Sequence, residues 1–304
     1  MTTTSGDLGV RVTDLFVYPV KSCAGIRVEA ARVTAGGFED DRRWMLTDEE
    51  GRFVTQRDLP ELSGLRLSLG DDGATPTYRM EGPRGRSFEF PRRLAPEAGR
   101  ELPVTVWSDR LVAYELPELS AWLRGTLTRP LRAVFLPEAR LRQVNPKRAR
   151  LGDRVGFADA YPFLLLSRES LRELNRRLSE RGEPALDVRR FRPNLVVAGC
   201  ASAHEEDTWS SLTIGSVAFR AAKLCDRCSI TTVDPDSGRR GKEPLRTLAE
   251  YRRWDGKVWF AVNLLHEPQH VGNAIALGDE VRVHARGGPG QGTPPVEAIP
   301  GAAL

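Results

Sequence analysis

The fold class is decided by four short stretches: Val12-Thr-Asp-Leu-Phe-Val-Tyr18, Ile26-Arg-Val-Glu-Ala-Ala-Arg-Val33, Arg43-Trp-Met-Leu-Thr47 and Arg52-Phe-Val-Thr55. Each is rich in β-branched and aromatic residues, and turn residues such as Gly36-Gly37 separate them. Short strands at this spacing are typical of antiparallel sheets or barrels. Similar stretches recur as far as residue 283. The sequence therefore predicts an α+β, β-rich fold of two domains, each built on an antiparallel β-barrel-like sheet with a few peripheral helices.

Helical patterns are confined to short segments. Ser167 is predicted to cap a helix that places Leu171, Leu174 and Leu178 on one face. Two further short helices are predicted at residues 117–123 and 245–252, and residues 230–233 (Ile-Thr-Thr-Val) are predicted as a strand. The predicted domains are residues 8–125 and 126–285, followed by a disordered Gly/Pro-rich tail at 286–304.

Charge and composition narrow the class of protein. The formal net charge is +4, but the 45 basic residues are interleaved with 41 acidic ones and form no dense basic stripe. No nucleic-acid partner is therefore expected. No secretory signal and no apolar run of roughly 18 residues is visible. We expect a cytoplasmic protein with no membrane partner.

The strongest local motif is Lys223-Leu-Cys-Asp-Arg-Cys-Ser-Ile-Thr-Thr-Val-Asp-Pro-Asp-Ser-Gly238. A thioredoxin-type site requires a helix after the cysteine pair, and the β-branched continuation resists one. A structural zinc site is a second interpretation, since Cys200, His204, Cys225 and Cys228 form a Cys₃His set. Against it, His204 is expected in an exposed acidic loop.

The third interpretation is a single reactive thiolate at Cys228. A soft thiolate suits a metal that already carries sulfur ligands. Arg227 is expected to favour the ionised sulfur, and Thr231 and Thr232 to donate hydrogen bonds to a polar cofactor. The motif alone leaves the three interpretations open.

Several strand ends carry cations or polar groups: Tyr18-Pro-Val-Lys-Ser-Cys23, Asp41-Arg42, Phe157-Ala-Asp-Ala-Tyr-Pro162 and Phe191-Arg-Pro-Asn194. Ligands of β-structures are commonly bound at such ends. Taken singly, each stretch is better explained by a surface ion pair or a turn cap.

Together with the cysteine motif, these stretches resemble the MOSC family with its N-terminal companion β-barrel domain, which includes the amidoxime-reducing components of animal mitochondria. Further matching stretches are Glu206-Asp-Thr-Trp209, Lys242-Glu-Pro-Leu-Arg-Thr-Leu248 and Leu277-Gly-Asp279. The resemblance extends from about Val12 to Val283. It implies a molybdenum–molybdopterin cofactor bound between two domains.

The resemblance also implies roles for individual residues. Cys228 is expected to ligate molybdenum, with Asp159 beside the metal either handling protons or orienting water. The pterin and its phosphate are expected to be held by Lys21, Ser22, Arg42, Arg192 and Asn194. Ala160, Tyr161 and Asn263, with Arg227 and Thr231, complete the predicted cofactor-binding set. Tyr161 replaces a smaller residue of the animal relatives, and Asn263 an aromatic residue of some relatives, so the substrate pocket is expected to differ.

The implied function is that of a molybdenum-dependent oxidoreductase reducing N-hydroxylated small molecules, such as amidoximes and hydroxylamines, by oxygen-atom transfer. No membrane anchor and no cysteine-rich iron–sulfur domain is expected. Electrons are then expected from a separate donor protein of flavoprotein, cytochrome or ferredoxin type. Two alternatives are a sulfur carrier with a persulfide on Cys228 and a zinc-stabilised binding protein.

Overall fold

The computed structural model describes residues 9–70 and 76–287, so all but the first two residues of the predicted tail lie outside the described residues. The strands of the described part are β1 (Val10–Val17), β2 (Ile26–Val28), β3 (Ala30–Thr34), β4 (Gly37–Phe38), β5 (Trp44–Thr47), β6 (Arg66–Leu69), β7 (Thr77–Glu81), β8 (Ser87–Pro91), β9 (Arg100–Val106), β10 (Asp109–Glu115), β11 (Arg132–Phe135), β12 (Arg142–Gln143), β13 (Arg154–Val155), β14 (Phe163–Ser167), β15 (Leu195–Ala198), β16 (Trp209–Ile214), β17 (Val217–Asp226), β18 (Arg253–Trp254), β19 (Lys257–His266), β20 (Ala274–Ala276) and β21 (Glu280–Arg286).

The α-helices are α1 (Pro117–Arg124), α2 (Arg168–Glu180) and α3 (Leu245–Tyr251). All three predicted helices are thereby confirmed. The Ser167 side chain accepts a hydrogen bond from the Ser170 backbone N–H and so caps α2. In the part of the chain that the structure describes, no helix is both long and apolar enough to traverse a bilayer.

A closed seven-stranded barrel dominates the second half, in the order β14-β15-β1-β21-β16-β17-β19, with β19 pairing back onto β14. It is not wholly antiparallel as predicted, because β14 and β15 run parallel. The reason lies in their connection: α2 crosses over between them, and a crossover returns the chain to the same end of the sheet. The aromatic side chains of Phe163 and Phe219 pack edge to face inside this barrel, with ring centroids 5.2 Å apart.

The strand β1 is supplied to this barrel by the N-terminal segment. It pairs with β15 and with β21, and Leu15 faces Leu195 across the first of these pairs. The remaining strands of the first half form a four-stranded sheet (β5-β11-β10-β9) and a three-stranded sheet (β6-β7-β8). Trp44 and Phe90 pack between these sheets, with ring centroids 5.2 Å apart. The division into domains near residue 125 stays a prediction.

The strand predicted at residues 230–233 is wrong. Residues Ser229–Thr232 form a 3₁₀ helix that begins after Cys228. The Thr231 hydroxyl donates to the Cys228 carbonyl (2.9 Å), and the Thr232 hydroxyl donates to the Ser229 carbonyl (2.8 Å). Such side-chain bonds to the preceding turn override the strand preference of β-branched residues.

The strand predicted at residues 52–55 is not formed either. Arg52 and Phe53 make only isolated bridges, to Thr105 and Thr47. The Asp48 carboxylate accepts from the Arg52 backbone N–H at 2.8 Å. This local bond keeps the segment in a turn after β5.

Candidate active site

A cavity of about 470 Å³ opens where the barrel meets the N-terminal sheets. Its walls come from the turn after β1, the loops preceding β5, β14 and β15, and the end of β17. The predicted site residues that line it are Lys21, Ser22, Arg42, Asp159, Ala160, Tyr161, Arg192, Asn194, Arg227, Cys228 and Asn263. Thr231 is buried and does not line the cavity, because its hydroxyl is bonded to the Cys228 carbonyl. Folding therefore brings together segments that are far apart in the chain.

The Cys228 thiol lies at the wall of this cavity, two residues beyond β17. Its Sγ accepts a hydrogen bond of 3.3 Å from Arg57 Nη2. Arg57 was not among the predicted residues. It is held in place by Arg240, which donates to the carbonyls of Gln56 (3.1 Å) and Arg57 (2.8 Å).

The Asp159 carboxylate contacts the same arginine as Cys228, Arg57. Its carboxylate pairs with Lys21 Nζ and, at 3.0 Å, with Arg57 Nη2. Burial alone would raise the pKa of this carboxyl, but the charges and hydrogen bonds of Lys21 and Arg57 hold its pKa below the usual range. The two cations therefore favour the ionised form of the Asp159 carboxylate.

Arg227 was predicted to act on the sulfur of Cys228, but it contacts the sulfur of Cys225 instead. Arg227 Nη1 donates to Sγ of Cys225 at 3.0 Å, and its Nη2 to the Phe191 carbonyl at 2.8 Å. The cation beside Cys228 is Arg57 instead. The two cysteines therefore line the same cavity with different arginine partners. Burial raises the pKa of the Cys225 thiol, although Arg227 opposes this.

Two guanidinium groups enclose the ring of Tyr18 at the other end of the cavity. The carbon Cζ of Arg42 lies 4.4 Å from the ring centroid, and that of Arg192 lies 4.3 Å from it. Burial and the neighbouring charge of Arg42 lower the pKa of Arg192 to about 10, which leaves Arg192 cationic at neutral pH. Such close packing of like charges is favourable only when an anion or aromatic face lies between or beside them.

The backbone at this end is strained. Ser22 (φ 67°), Arg42 (φ 48°) and Arg192 (φ 55°) all adopt left-handed conformations. Residues other than glycine seldom do so, and such strain is concentrated at binding sites. Three cavity residues therefore share a costly backbone conformation of the kind that is common at ligand-binding sites.

Two buried donors point to what is bound. Arg192 Nη2 and Arg227 Nε have no hydrogen-bond partner among the residues that the structure describes. An orphaned buried N–H costs about 1–3 kcal/mol. Both side chains line the cavity, so an anionic ligand with several oxygen atoms would satisfy them.

The charged residues that line the cavity also favour an anionic ligand. Its walls carry six cations (Lys21, Arg42, Arg57, Arg192, Lys223 and Arg227) against two carboxylates (Asp159 and Asp226). A wall of one predominant sign attracts ligands of the opposite sign. The cavity is suited to an anion such as a phosphate ester.

Asn194 supports the site rather than offering free donors. Its amide donates to the Phe16 carbonyl and to Asp41 Oδ1, both at 3.1 Å, and its Oδ1 accepts from Arg42 at 3.0 Å. These bonds fix Arg42 against the barrel.

The structure does not place His204 where the zinc interpretation requires it. His204 is buried, not exposed as expected, and its ring packs 5.8 Å from those of Tyr251 and Phe260. Within residues 9–70 and 76–287, no group of three or more His, Cys, Asp or Glu residues is arranged to hold a metal ion. The Cys₃His set is therefore not assembled.

Nine residues that line the cavity are absent from the predicted set: Arg57, Trp107, Ala158, Leu164, Phe191, Lys223, Cys225, Asp226 and Ile230. Lys223 and Asp226 lie within the cysteine motif, and their position beside Cys225 was an available signal. Arg57 and Trp107 lie in turns of the N-terminal sheets, 171 and 121 positions before Cys228, where nothing local distinguishes them from surface residues.

Comparison with known proteins gives matches over both halves of the chain. The MOSC domain matches residues 152–282, and the MOSC N-terminal beta barrel domain matches residues 9–130. Mitochondrial amidoxime-reducing component 1 of Homo sapiens is 36% identical over 255 residues, which cover 80% of this chain and 72% of that protein.

Two further similarities are more limited. Molybdenum cofactor sulfurase of Oryza sativa subsp. japonica is 31% identical over 278 residues, covering 85% of this chain but 33% of that protein. Among solved structures, the YUAD protein of Bacillus subtilis aligns with a TM-score of 0.37 and 14% identity, over 91% of this chain and 96% of that one.

Proposed function

The chain belongs to the family that joins a MOSC domain to a MOSC N-terminal β-barrel domain, and on that premise we propose that it is a molybdenum-cofactor-dependent oxidoreductase reducing N-hydroxylated small molecules. Its relatives include amidoxime-reducing components and molybdenum cofactor sulfurases, so its function is related to the molybdenum cofactor. The specific reaction and substrate class are the proposal.

One observation carries the proposal: the Cys228 thiol opens into a strongly cationic cavity in which buried arginine nitrogens lack partners. A thiolate is the ligand type that molybdenum with dithiolene donors accepts. The phosphate of a pterin would satisfy the orphaned Arg192 and Arg227 nitrogens. The residues present therefore fit this cofactor.

When bound, the molybdenum–pterin group supplies two-electron redox chemistry. The protein's own residues then have distinct tasks. Lys21, Arg42 and Arg192 provide positive charge for the pterin and its phosphate. Arg57 donates a hydrogen bond to the Cys228 sulfur at 3.3 Å and so orients it toward the cavity. Asp159, kept ionised by Lys21, accepts a hydrogen bond from the substrate's hydroxyl group and so orients it.

The overall reaction balances with a separate electron donor. The N–O bond of an amidoxime breaks, two electrons and two protons are taken up, and an amidine and one water are released. The electrons come from a donor protein of flavoprotein, cytochrome or ferredoxin type. The two protons come from solvent.

The direct test is analysis of the purified protein for metal and pterin, followed by turnover of benzamidoxime with a chemical electron donor. We expect molybdenum and pterin in about equal amounts and formation of benzamidine. Zinc without molybdenum would contradict the proposal. Cyanide-labile sulfur on Cys228, without turnover, would instead favour the sulfur-carrier alternative suggested by similarity to the sulfurase.

Asp159→Asn is expected to lower kcat for benzamidoxime about 10- to 100-fold while leaving molybdenum content near that of wild type. The amide keeps the shape of the carboxylate but lacks the charge that pairs with Lys21 and Arg57. The measurements are steady-state kinetics and metal analysis. Glu89→Gln is the matched control, since Glu89 is ion-paired with Arg79 at 3.4 Å and similarly exposed (49% against 43% for Asp159), but lies on β8. Equal kcat in both variants would remove Asp159 from the mechanism.

A further inference from the structure

Trp107 adopts a left-handed backbone conformation that is unusual for a large side chain. Trp107 and Ser108 form the two-residue turn between β9 and β10, in which Val106 faces Asp109. Trp107 has φ 55°, a conformation that such turns normally assign to glycine or asparagine. A bulky side chain held there is unfavourable for the folded state.

The side chain gains little burial in return. It is 52% exposed, whereas Trp44, Trp209 and Trp259 are at most 3% exposed. Its ring is in tilted contact with Phe53, with centroids 5.1 Å apart. A strained, exposed tryptophan is poorly explained by stability, because glycine or asparagine in this turn would reduce the strain and expose less apolar surface.

Its location suggests a different purpose. Trp107 lines the cavity that contains Cys228 and also an adjoining groove of about 400 Å³ on the side of Phe53 and Thr55. The Cζ atom of Arg57 lies 5.1 Å from its ring centroid, and the same Arg57 contacts Cys228 Sγ and Asp159. The ring therefore stands at the mouth of the cavity, one side chain away from the reacting centre.

We propose that Trp107 is a specificity-determining residue that binds the planar, conjugated part of the substrate, so that aryl N-hydroxylated compounds are preferred over aliphatic ones. The inference rests on the proposed function and names the substrate class of that site. Aromatic rings in offset or edge-to-face contact attract each other beyond the effect of the area they bury, which a methyl group in place of the ring would lose.

The test compares benzamidoxime with acetamidoxime, which replaces the phenyl ring by a methyl group. Trp107→Ala is expected to raise KM for benzamidoxime about 3- to 10-fold more than it raises KM for acetamidoxime. Trp107→Phe, which keeps an aromatic face, is expected to restore most of the preference. Leu69→Ala, at an exposed apolar residue on β6, is the control and should change neither KM.

A second measurement separates recognition from structure. Trp107→Asn fits the left-handed turn, so its melting temperature should equal or exceed that of wild type while benzamidoxime binds more weakly by calorimetry without an electron donor. A lower melting temperature with unchanged binding would assign Trp107 to stability and overturn the inference. If wild type and Trp107→Ala both turn over and prefer benzamidoxime to the same degree, the role of Trp107 is overturned and the proposed function is not. A wild type without molybdenum or turnover would overturn the proposed function as well.

Discussion

Cys228→Ala is expected to abolish benzamidoxime reduction, with kcat/KM lowered by more than about 100-fold, and to reduce the molybdenum content of the purified protein. Loss of outer hydrogen-bonding partners of a metal ligand alone costs about 10- to 100-fold, and loss of the ligand itself should cost more. Alanine removes the one thiol that contacts both the cavity and Arg57. Metal analysis and steady-state kinetics on the same preparations measure the two effects.

Cys225→Ala is the matched control, because Cys225 lies three residues away on the same segment and also lines the cavity. Its Sγ contacts Arg227 rather than Arg57. We expect Cys225→Ala to retain molybdenum and to lose far less activity than Cys228→Ala. Equal losses in the two variants would show that the motif acts as a pair, as a structural or redox site would, and the single-thiolate proposal would then be wrong.

Arg252→Met is expected to destabilise the folded protein by about 3–5 kcal/mol in urea-induced unfolding. Arg252 and Asp207 form an ion pair in which both side chains are 1% exposed. Arg252 also donates to the Trp259 carbonyl at 3.0 Å, and so joins the end of α3 to β19. Methionine fills the space but leaves the Asp207 carboxylate buried without its counter-charge.

The double variant Arg252→Met with Asp207→Leu should recover much of that loss, because no uncompensated charge then remains. Arg79→Met serves as the surface control, since the exposed Arg79–Glu89 pair should contribute less than about 1 kcal/mol. A double variant that is less stable than Arg252→Met would show that the hydrogen bonds of the pair, and not the unpaired charge, determine the effect.

The parts of the fold that were predicted correctly share a local cause. The leucines of α2 reflect burial of one face of a helix, which is encoded within a few consecutive residues. The Ser167 cap is likewise a contact over three residues. The candidate thiolate at Cys228 came from an equally local motif, supported by the family resemblance.

The failures have the opposite cause. The 3₁₀ turn after Cys228 forms because threonine hydroxyls bond to the preceding carbonyls, which outweighs strand propensity. His204 follows an apolar strand in a polar segment, and only packing against Phe260 buries it. The parallel β14–β15 pair depends on where the α2 crossover returns the chain.

The sequence by itself determined the strand-rich class, the three helices, the family and the single cysteine on which the chemistry is proposed to depend. Only the tertiary structure decided that Arg57 contacts Cys228 across 171 positions, that β1 joins the second-half barrel, and that Trp107 stands at the cavity mouth. The physical reason is that periodicity and capping act between near neighbours, whereas these contacts depend on which sheets pack together. The sequence around one residue of such a contact does not identify the distant residue that it meets in the folded protein.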